Sequence, residues 1–167
     1  PVETIVAKIV APDLLCLSCY VWNINHQMAI ARRVKMLHPQ CVVVCGGPQV
    51  PDPPEDFFSR YPQADILVHG EGEVPFAALL RELLSDAPRL DRVNGISFNR
   101  SGRPVSTPAG ERLGRDLPVP SPYLNGILDP FLGGNNGNAI ALWETNRGCP
   151  FACCFCDWAV RTKNKVR

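Results

Sequence analysis

The chain has 167 residues, 46% hydrophobic and 20% charged, a composition that excludes a disordered, collagen-like or membrane-embedded protein. Seventeen Lys and Arg against 16 Asp and Glu leave a net charge of +1, so no summed field gathers nucleic acid or an anionic membrane. No apolar stretch reaches the roughly 18 to 20 residues a helix needs to cross a bilayer, and Pro1-Val2-Glu3-Thr4 has neither a basic start nor an apolar core, so a cytoplasmic setting is expected.

Residues 13–21 (DLLCLSCYV) are a mainly apolar run ending at Trp22-Asn23. Met28, Ile30, Ala31, Val34, Met36 and Leu37 follow at broadly helical spacing, closed by Pro39. The pattern predicts a strand, then a helix. Residues 41–45 (CVVVC) are a second apolar run, stopped by Gly46-Gly47-Pro48, and residues 64–68 (ADILV) a third, after a segment holding Phe57, Phe58 and Tyr61. Strands apolar on both faces belong to parallel sheets covered by helices. The third run leads through Gly70-Glu71-Gly72-Glu73 to Phe76, Leu79, Leu80, Leu83 and Leu84, another amphipathic helix. Residues 1–88 are therefore expected to form a doubly wound, flavodoxin- or Rossmann-like α/β domain. Three strands are few where about five are usual, so the first strands are expected to be missing. A chain running from Pro1 to Arg167 without a recognisable terminus reads as a piece of something longer.

After Pro88 the pattern changes. Residues 93–98 (VNGISF), a Gly-containing turn, and Pro104-Val105-Ser106 predict a hairpin, a small β appendage at 89–107. Residues 108–138 contain Pro108, Pro118, Pro120, Pro122 and Pro130 with Gly133, Gly134 and Gly137, and are expected to run extended as a linker between domains. Residues 139–145 (AIALWET) predict one more strand, which opens a last segment, 139–167.

Eight cysteines are many for a cytoplasmic protein and too few for a small disulfide scaffold, which points to metal or redox chemistry. Cys16-x-x-Cys19 with Cys41-x-x-x-Cys45 has the spacing of a zinc site. A strand rises about 3.3 Å per residue, however, which sets Cys16 and Cys19 on the order of 10 Å apart on opposite faces. Thiolates that share one zinc lie within roughly 4 Å of each other. Core packing is the expected role of this group. The late group differs. Cys149-x3-Cys153-x2-Cys156 lies in a loop that Gly148 and Pro150 keep irregular, and only a wrapped loop converges three sulfurs on one centre. Three thiolates on a cubane of four irons leave one iron open to a substrate or cofactor. The competing readings are a zinc site completed by Cys154 or a distant ligand, and plain surface thiols; adjacent Cys153 and Cys154 do not easily face one metal.

Cys149-x3-Cys153-x-Phe155-Cys156, directly after a predicted strand, resembles the radical S-adenosylmethionine (SAM) signature, in which an aromatic residue precedes the last cysteine. Ser121-Pro122-Tyr123-Leu124, Trp143-Glu144-Thr145-Asn146-Arg147-Gly148-Cys149-Pro150, and Gly46-Gly47-Pro48 paired with Gly70-Glu71-Gly72-Glu73 resemble the subgroup with an N-terminal cobalamin-binding domain. The resemblance covers nearly the whole chain. It implies that 139–167 begin a partial β/α barrel, and that Cys149, Cys153 and Cys156 hold a 4Fe-4S cluster whose open iron binds the amino and carboxylate groups of SAM. Phe155 would lie beside the adenine. Ligands of open α/β sheets bind beyond the carboxyl ends of the strands. Tyr20, Trp22 and Asn23, Gly46-Gly47-Pro48-Gln49, and Gly70-Glu71-Gly72 all fall there, and they are the expected cobalamin contacts. Glycines let the backbone approach a large flat ligand, and Tyr20 or Trp22 offers apolar area to a corrin face. His26, His38 and His69 fit no Asp-x-His-x-x-Gly stretch, so cobalt is expected to lack a histidine ligand, and His69 is expected to be structural. Cys154 and Ala159 stand where relatives often carry a small polar residue and a glycine; neither change removes a cluster ligand.

The implied activity is that of a cobalamin-dependent radical SAM C-methyltransferase working on a small-molecule or peptide natural-product intermediate. In the mechanism the resemblance implies, the reduced cluster would cleave SAM to a 5′-deoxyadenosyl radical, the radical would take hydrogen from an unactivated carbon, and methylcobalamin would supply the methyl group. An electron donor such as flavodoxin or ferredoxin is implied. Within the family the alternative is a cobalamin-dependent cyclase or ring-rearranging enzyme; a methylthiotransferase would need three convergent early cysteines. Outside it stands a non-catalytic corrinoid- or zinc-binding module. A barrel that stops after its first strand and loop is expected to leave this chain inactive alone. The closing Arg161, Lys163, Lys165 and Arg167 read as a solvated helix start.

Overall fold

A computed structural model describes residues 1–54, 56–111, 113, 120–132, 140–142, 147–151 and 153–156. Among the described residues five strands, β1 (Leu14–Ser18), β2 (Val42–Gly46), β3 (Ile66–Val68), β4 (Ile96–Arg100) and β5 (Arg103–Ser106), make one sheet in the order β1-β2-β3-β4-β5. The first three are parallel, with Cys16 opposite Val44 and Val44 opposite Ile66, and the last two antiparallel. The helices are α1 (Val2–Val6), α2 (Ile24–Leu37), α3 (Phe57–Arg60), α4 (Glu73–Leu83) and α5 (Asp129–Leu132).

Strand alternation divides the core into two layers. Leu17, Val43, Cys45 and Leu67 face one way and pack with Met28 and Ala31 of α2 and Phe57 and Phe58 of α3. Val6, Ile30, Val34 and Cys41 extend that layer through α1. Val44, Ile66 and Val68 face the other way and pack with Leu79 of α4 and with Ile96 and Phe98. Each fully buried Val, Leu, Ile or Phe contributes about 1.5–3 kcal/mol, so the two layers together hold the sheet. The expected doubly wound α/β architecture is thus present, with helices on both faces. Cys16 shares the α4 face but remains exposed, while Cys19, Cys41 and Cys45 are buried as small hydrophobes.

The hairpin expected as an appendage is instead a member of the sheet. Ile66 pairs with Phe98, Leu67 with Ser97 and Val68 with Ile96. The physical reason is burial: Val93, Ile96 and Phe98 are 0–4% exposed and fill the layer beneath α4, which a detached hairpin would leave in water. The hairpin thereby brings the sheet to five strands. Helix α1 carries no strong sequence pattern and was not expected.

The end of β3 and the exit from β5 are tied together. The His69 N–H donates to Gly95 O at 2.9 Å and the Gly95 N–H to Pro108 O at 2.7 Å. A Cβ on Gly95 would stand 2.9 Å from Gly110 Cα, and one on Gly110 2.7 Å from Pro75 Cγ, so the exiting chain crosses closely here. At the opposite end of the sheet, the Asp65 carboxylate accepts the Val43 N–H at 2.7 Å and pairs with Lys35 Nζ at 2.6 Å, joining β2, β3 and α2.

The chain divides into two compact units, Pro1–Arg112 and Leu113–Arg167. The described portion of the Pro/Gly-rich stretch is not uniformly extended: the Leu124 and Asn125 N–H groups both reach Ser121 O at 3.1 Å, and α5 follows. In the same unit Tyr123 brackets Leu142, its Oη accepting the Leu142 N–H at 2.9 Å and donating to Leu142 O at 3.1 Å. Most of the strand expected at 139–145, and all of 157–167 with its basic residues, lie outside the described residues. Among the described residues no helix is long and apolar enough to cross a membrane.

Candidate cofactor rim and cysteine loop

The carboxyl ends of β1, β2 and β3 turn into three adjacent loops, and every residue expected as a cobalamin contact lies on them. The first two loops are bound to each other by their backbones. The Cys19 N–H donates to Gly46 O at 2.7 Å, and Cys19 O accepts the Gln49 N–H at 3.1 Å. Gly47 has φ +103°, and a Cβ there would lie 2.8 Å from Cys19 O. Only glycine fits, both for its conformation and for the contact. Gly70, at φ +67°, has nothing within 4 Å of a Cβ position, so its backbone faces open space.

Above this backbone stands an aromatic pair. Tyr20 and Trp22 stack with centroids 4.7 Å apart and planes inclined by 14°. Trp22 is 77% exposed and the adjacent Val21 70%. Asn23 is half-buried and bonds inward to Ser18 and Tyr20.

His69 follows β3 directly and is buried; its Nε2 lies 2.7 Å from Ser97 Oγ, which lies 2.8 Å from Ser106 Oγ. Burial holds the imidazole below its ordinary range, partly offset by Asp52. The expected structural role is realised in the Ser97 bond, yet Nδ1 is buried with no hydrogen-bond partner. A buried polar atom without a partner calls for a physical account. Beneath the rim, a hydrogen bond from the Cys45 thiol lowers Cys19, while that same contact and burial push Cys45 up. Both thiols are core groups.

Exposed stacked rings, a glycine-lined backbone and an unpaired buried nitrogen at one sheet end fit a broad flat ligand carrying amide arms. For the late cysteines the donor chemistry fits an iron–sulfur cluster, since soft thiolates are its ligands. Cys149 and Cys156 are half-buried and Cys153 and Cys154 exposed; all are free thiols. A turn closes between two of them, the Cys156 N–H donating to Cys153 O at 3.0 Å, and Gly148 at φ +93° opens the loop. Phe155 is 90% exposed. Among the described residues no three His, Cys, Asp or Glu side chains are grouped as a metal site.

Sheet, rim and cysteine loop together define an α/β cofactor-binding protein. Residues 1–80 match the family model described as the B12 binding domain. The chain is 49% identical, over 99% of its length, to 2-(S-pantetheinyl)-carbapenam-3-carboxylate methyltransferase of Streptantibioticus cattleyicolor, covering 25% of that protein. It is 47% identical, over 100% of its length, to the cobalamin-dependent radical SAM methyltransferase TokK of Streptomyces tokunonensis, again covering 25%. Among solved structures, the cobalamin-dependent S-adenosylmethionine radical enzyme OxsB with aqua-cobalamin and S-adenosylmethionine bound is similar at a TM-score of 0.64 and 25% identity, over 93% of this chain and 21% of that one. Residues 1–80 thus match a B12 binding domain, and the chain as a whole is similar to cobalamin-dependent radical SAM enzymes. It spans about a quarter of the length of the curated relatives it matches.

Proposed function

We propose that this chain is the cofactor-loading portion of a cobalamin-dependent radical SAM C-methyltransferase, with residues 1–88 holding cobalamin and 139–167 opening the SAM and cluster domain. The observation that carries the reading is the rim and the C-x3-C-x2-C loop on one chain, aligned end to end with two methyltransferases at nearly half identity. That both bear methyltransferase names favours methyl transfer over the cyclase alternative. A small molecule is the proposed substrate, in the class of the bicyclic carboxylate named for one relative. A flavodoxin- or ferredoxin-type electron donor and a cytoplasmic setting complete the proposal.

Bound cobalamin, cluster and SAM would supply methyl transfer and radical formation, chemistry that belongs to the cofactors. The chain's own residues do the holding. Gly46, Gly47, Pro48 and Gln49 would offer the corrin one backbone edge, Gly70, Glu71 and Gly72 a second, and Tyr20 with Trp22 an apolar face. Cys149, Cys153 and Cys156 would supply three thiolates to the cluster, and Phe155 an aromatic surface to SAM.

The test is iron, sulfide and cobalt analysis of the chain reconstituted without oxygen in the presence of hydroxocobalamin. About four irons and four sulfides that vanish in Cys149→Ala, with one cobalt that persists, are expected. Stoichiometric zinc without iron, or no retained corrinoid, would overturn the proposal in favour of a structural metal module.

A further inference from the structure

We propose that Asn23 is a positioning residue rather than a cofactor contact: its carboxamide clamps the exit of β1 so that the stacked Tyr20 and Trp22 rings form a platform for the corrin before it binds. The proposal rests on the cobalamin reading above.

Asn23 occupies the N-cap of α2, where an Asn side chain ordinarily turns forward onto a first-turn N–H, and it makes no such bond. It reaches backward instead. Oδ1 accepts the Tyr20 N–H at 2.7 Å, and Nδ2 donates to Ser18 O at 2.9 Å. These two bonds complete the backbone pairing of the exit. Cys19 is bound on both sides to the Gly46–Gln49 loop, and Tyr20 O accepts the Asn23 and Ile24 N–H groups at 3.1 and 2.9 Å. One side chain thus offers an acceptor and a donor across a single turn. Asp lacks the donor, Ser lacks the reach and Gln is one carbon too long. With both ends of the carboxamide engaged and the residue half-buried, Asn23 has little left for a ligand.

What the clamp carries explains its use. A stacked Tyr–Trp pair with the indole 77% exposed holds apolar area open to solvent. Rings ordered in advance cost less entropy when a ligand covers them. The clamp therefore acts on affinity through the free protein's order.

The experiment uses the 167-residue chain carrying Trp143→Phe and Trp158→Phe, so that Trp22 is the remaining indole of three. Two quantities are read: the exciton couplet of the Tyr20–Trp22 pair in the circular dichroism of the free chain, with Tyr20→Leu as the control that abolishes it, and aquacobalamin affinity by titration. Asn23→Ala is expected to lose the couplet and weaken aquacobalamin about tenfold, the equivalent of one net hydrogen bond's ordering. Asn23→Asp keeps the acceptor for the Tyr20 N–H and is expected to fall between on both readouts. Weakened binding with the couplet intact would overturn the proposal and make Asn23 a direct contact; a lost couplet with unchanged affinity would overturn it by showing the platform unused. Failure of the parent chain to bind aquacobalamin overturns the cofactor reading itself, and that result is seen before any Asn23 variant is made.

Discussion

Gly47 carries a requirement no other residue type meets, because its φ of +103° and its contact with Cys19 O both exclude a Cβ. Gly47→Ala is expected to lower stability by about 1–3 kcal/mol in urea unfolding and to weaken aquacobalamin, since relief of the clash must push the β1 and β2 rim loops away from each other. Gly70→Ala, with open space around it, is expected to cost less stability than Gly47→Ala under the same measurement. His69 sets a pH dependence. Its folded imidazole titrates below the ordinary value of 6.5, so the neutral form belongs to the folded state. As pH falls below about 6.5 the unfolded chain takes up a proton that the folded chain refuses, and stability drops until His69 itself protonates; above 6.5 it is fully retained. Urea midpoints at about pH 8, 6 and 5 are expected to fall for the parent chain and to flatten in His69→Gln. At this scale the rim glycines and the Tyr20–Trp22 pair were legible because they directly follow apolar runs. The His69–Ser97–Ser106 chain was not, since it joins residues 28 apart that meet only once β4 lies beside β3.

Elements came through where their hydrophobic period was long. Helices α2 and α4 and strands β1 to β3 stand where the apolar spacing set them, within a few residues at their ends. The hairpin was legible as a hairpin but not as a sheet member, because local turn chemistry names partners within the hairpin and says nothing of which outer strand it joins. Pairing with β3 is a tertiary outcome, decided by the apolar face beneath α4. Asp65 shows how these elements are fixed. Asp65→Asn keeps an acceptor for the Val43 N–H and loses only the ion pair to Lys35, so a loss of under about 1 kcal/mol is expected. Asp65→Ala strands that N–H as well and is expected to cost about 1–3 kcal/mol, the two variants being compared by urea unfolding. Equal losses would mean that the ion pair, not the backbone bond, holds the strands.

For the whole molecule, the first compact unit contains the sheet and all of the rim. A chain ended after Gly110 is therefore expected to unfold in one transition and to keep the aquacobalamin affinity of the 167-residue chain, while binding no iron; equilibrium titration and metal analysis check both. The cysteine loop stood out in the sequence through its spacing around Gly148 and Pro150, and metal analysis tests the cluster proposed for it.

Strand order in the sheet repeats strand order along the chain, without a single skipped neighbour. During synthesis each of β2 to β5 therefore leaves the ribosome after a neighbour with which it pairs. The last described strand ends at Ser106, ahead of Cys149, the first cysteine of the late group. In the proposed function the rim residues are thus translated ahead of the thiolates that would hold the oxygen-sensitive cluster, so the two loadings need not coincide.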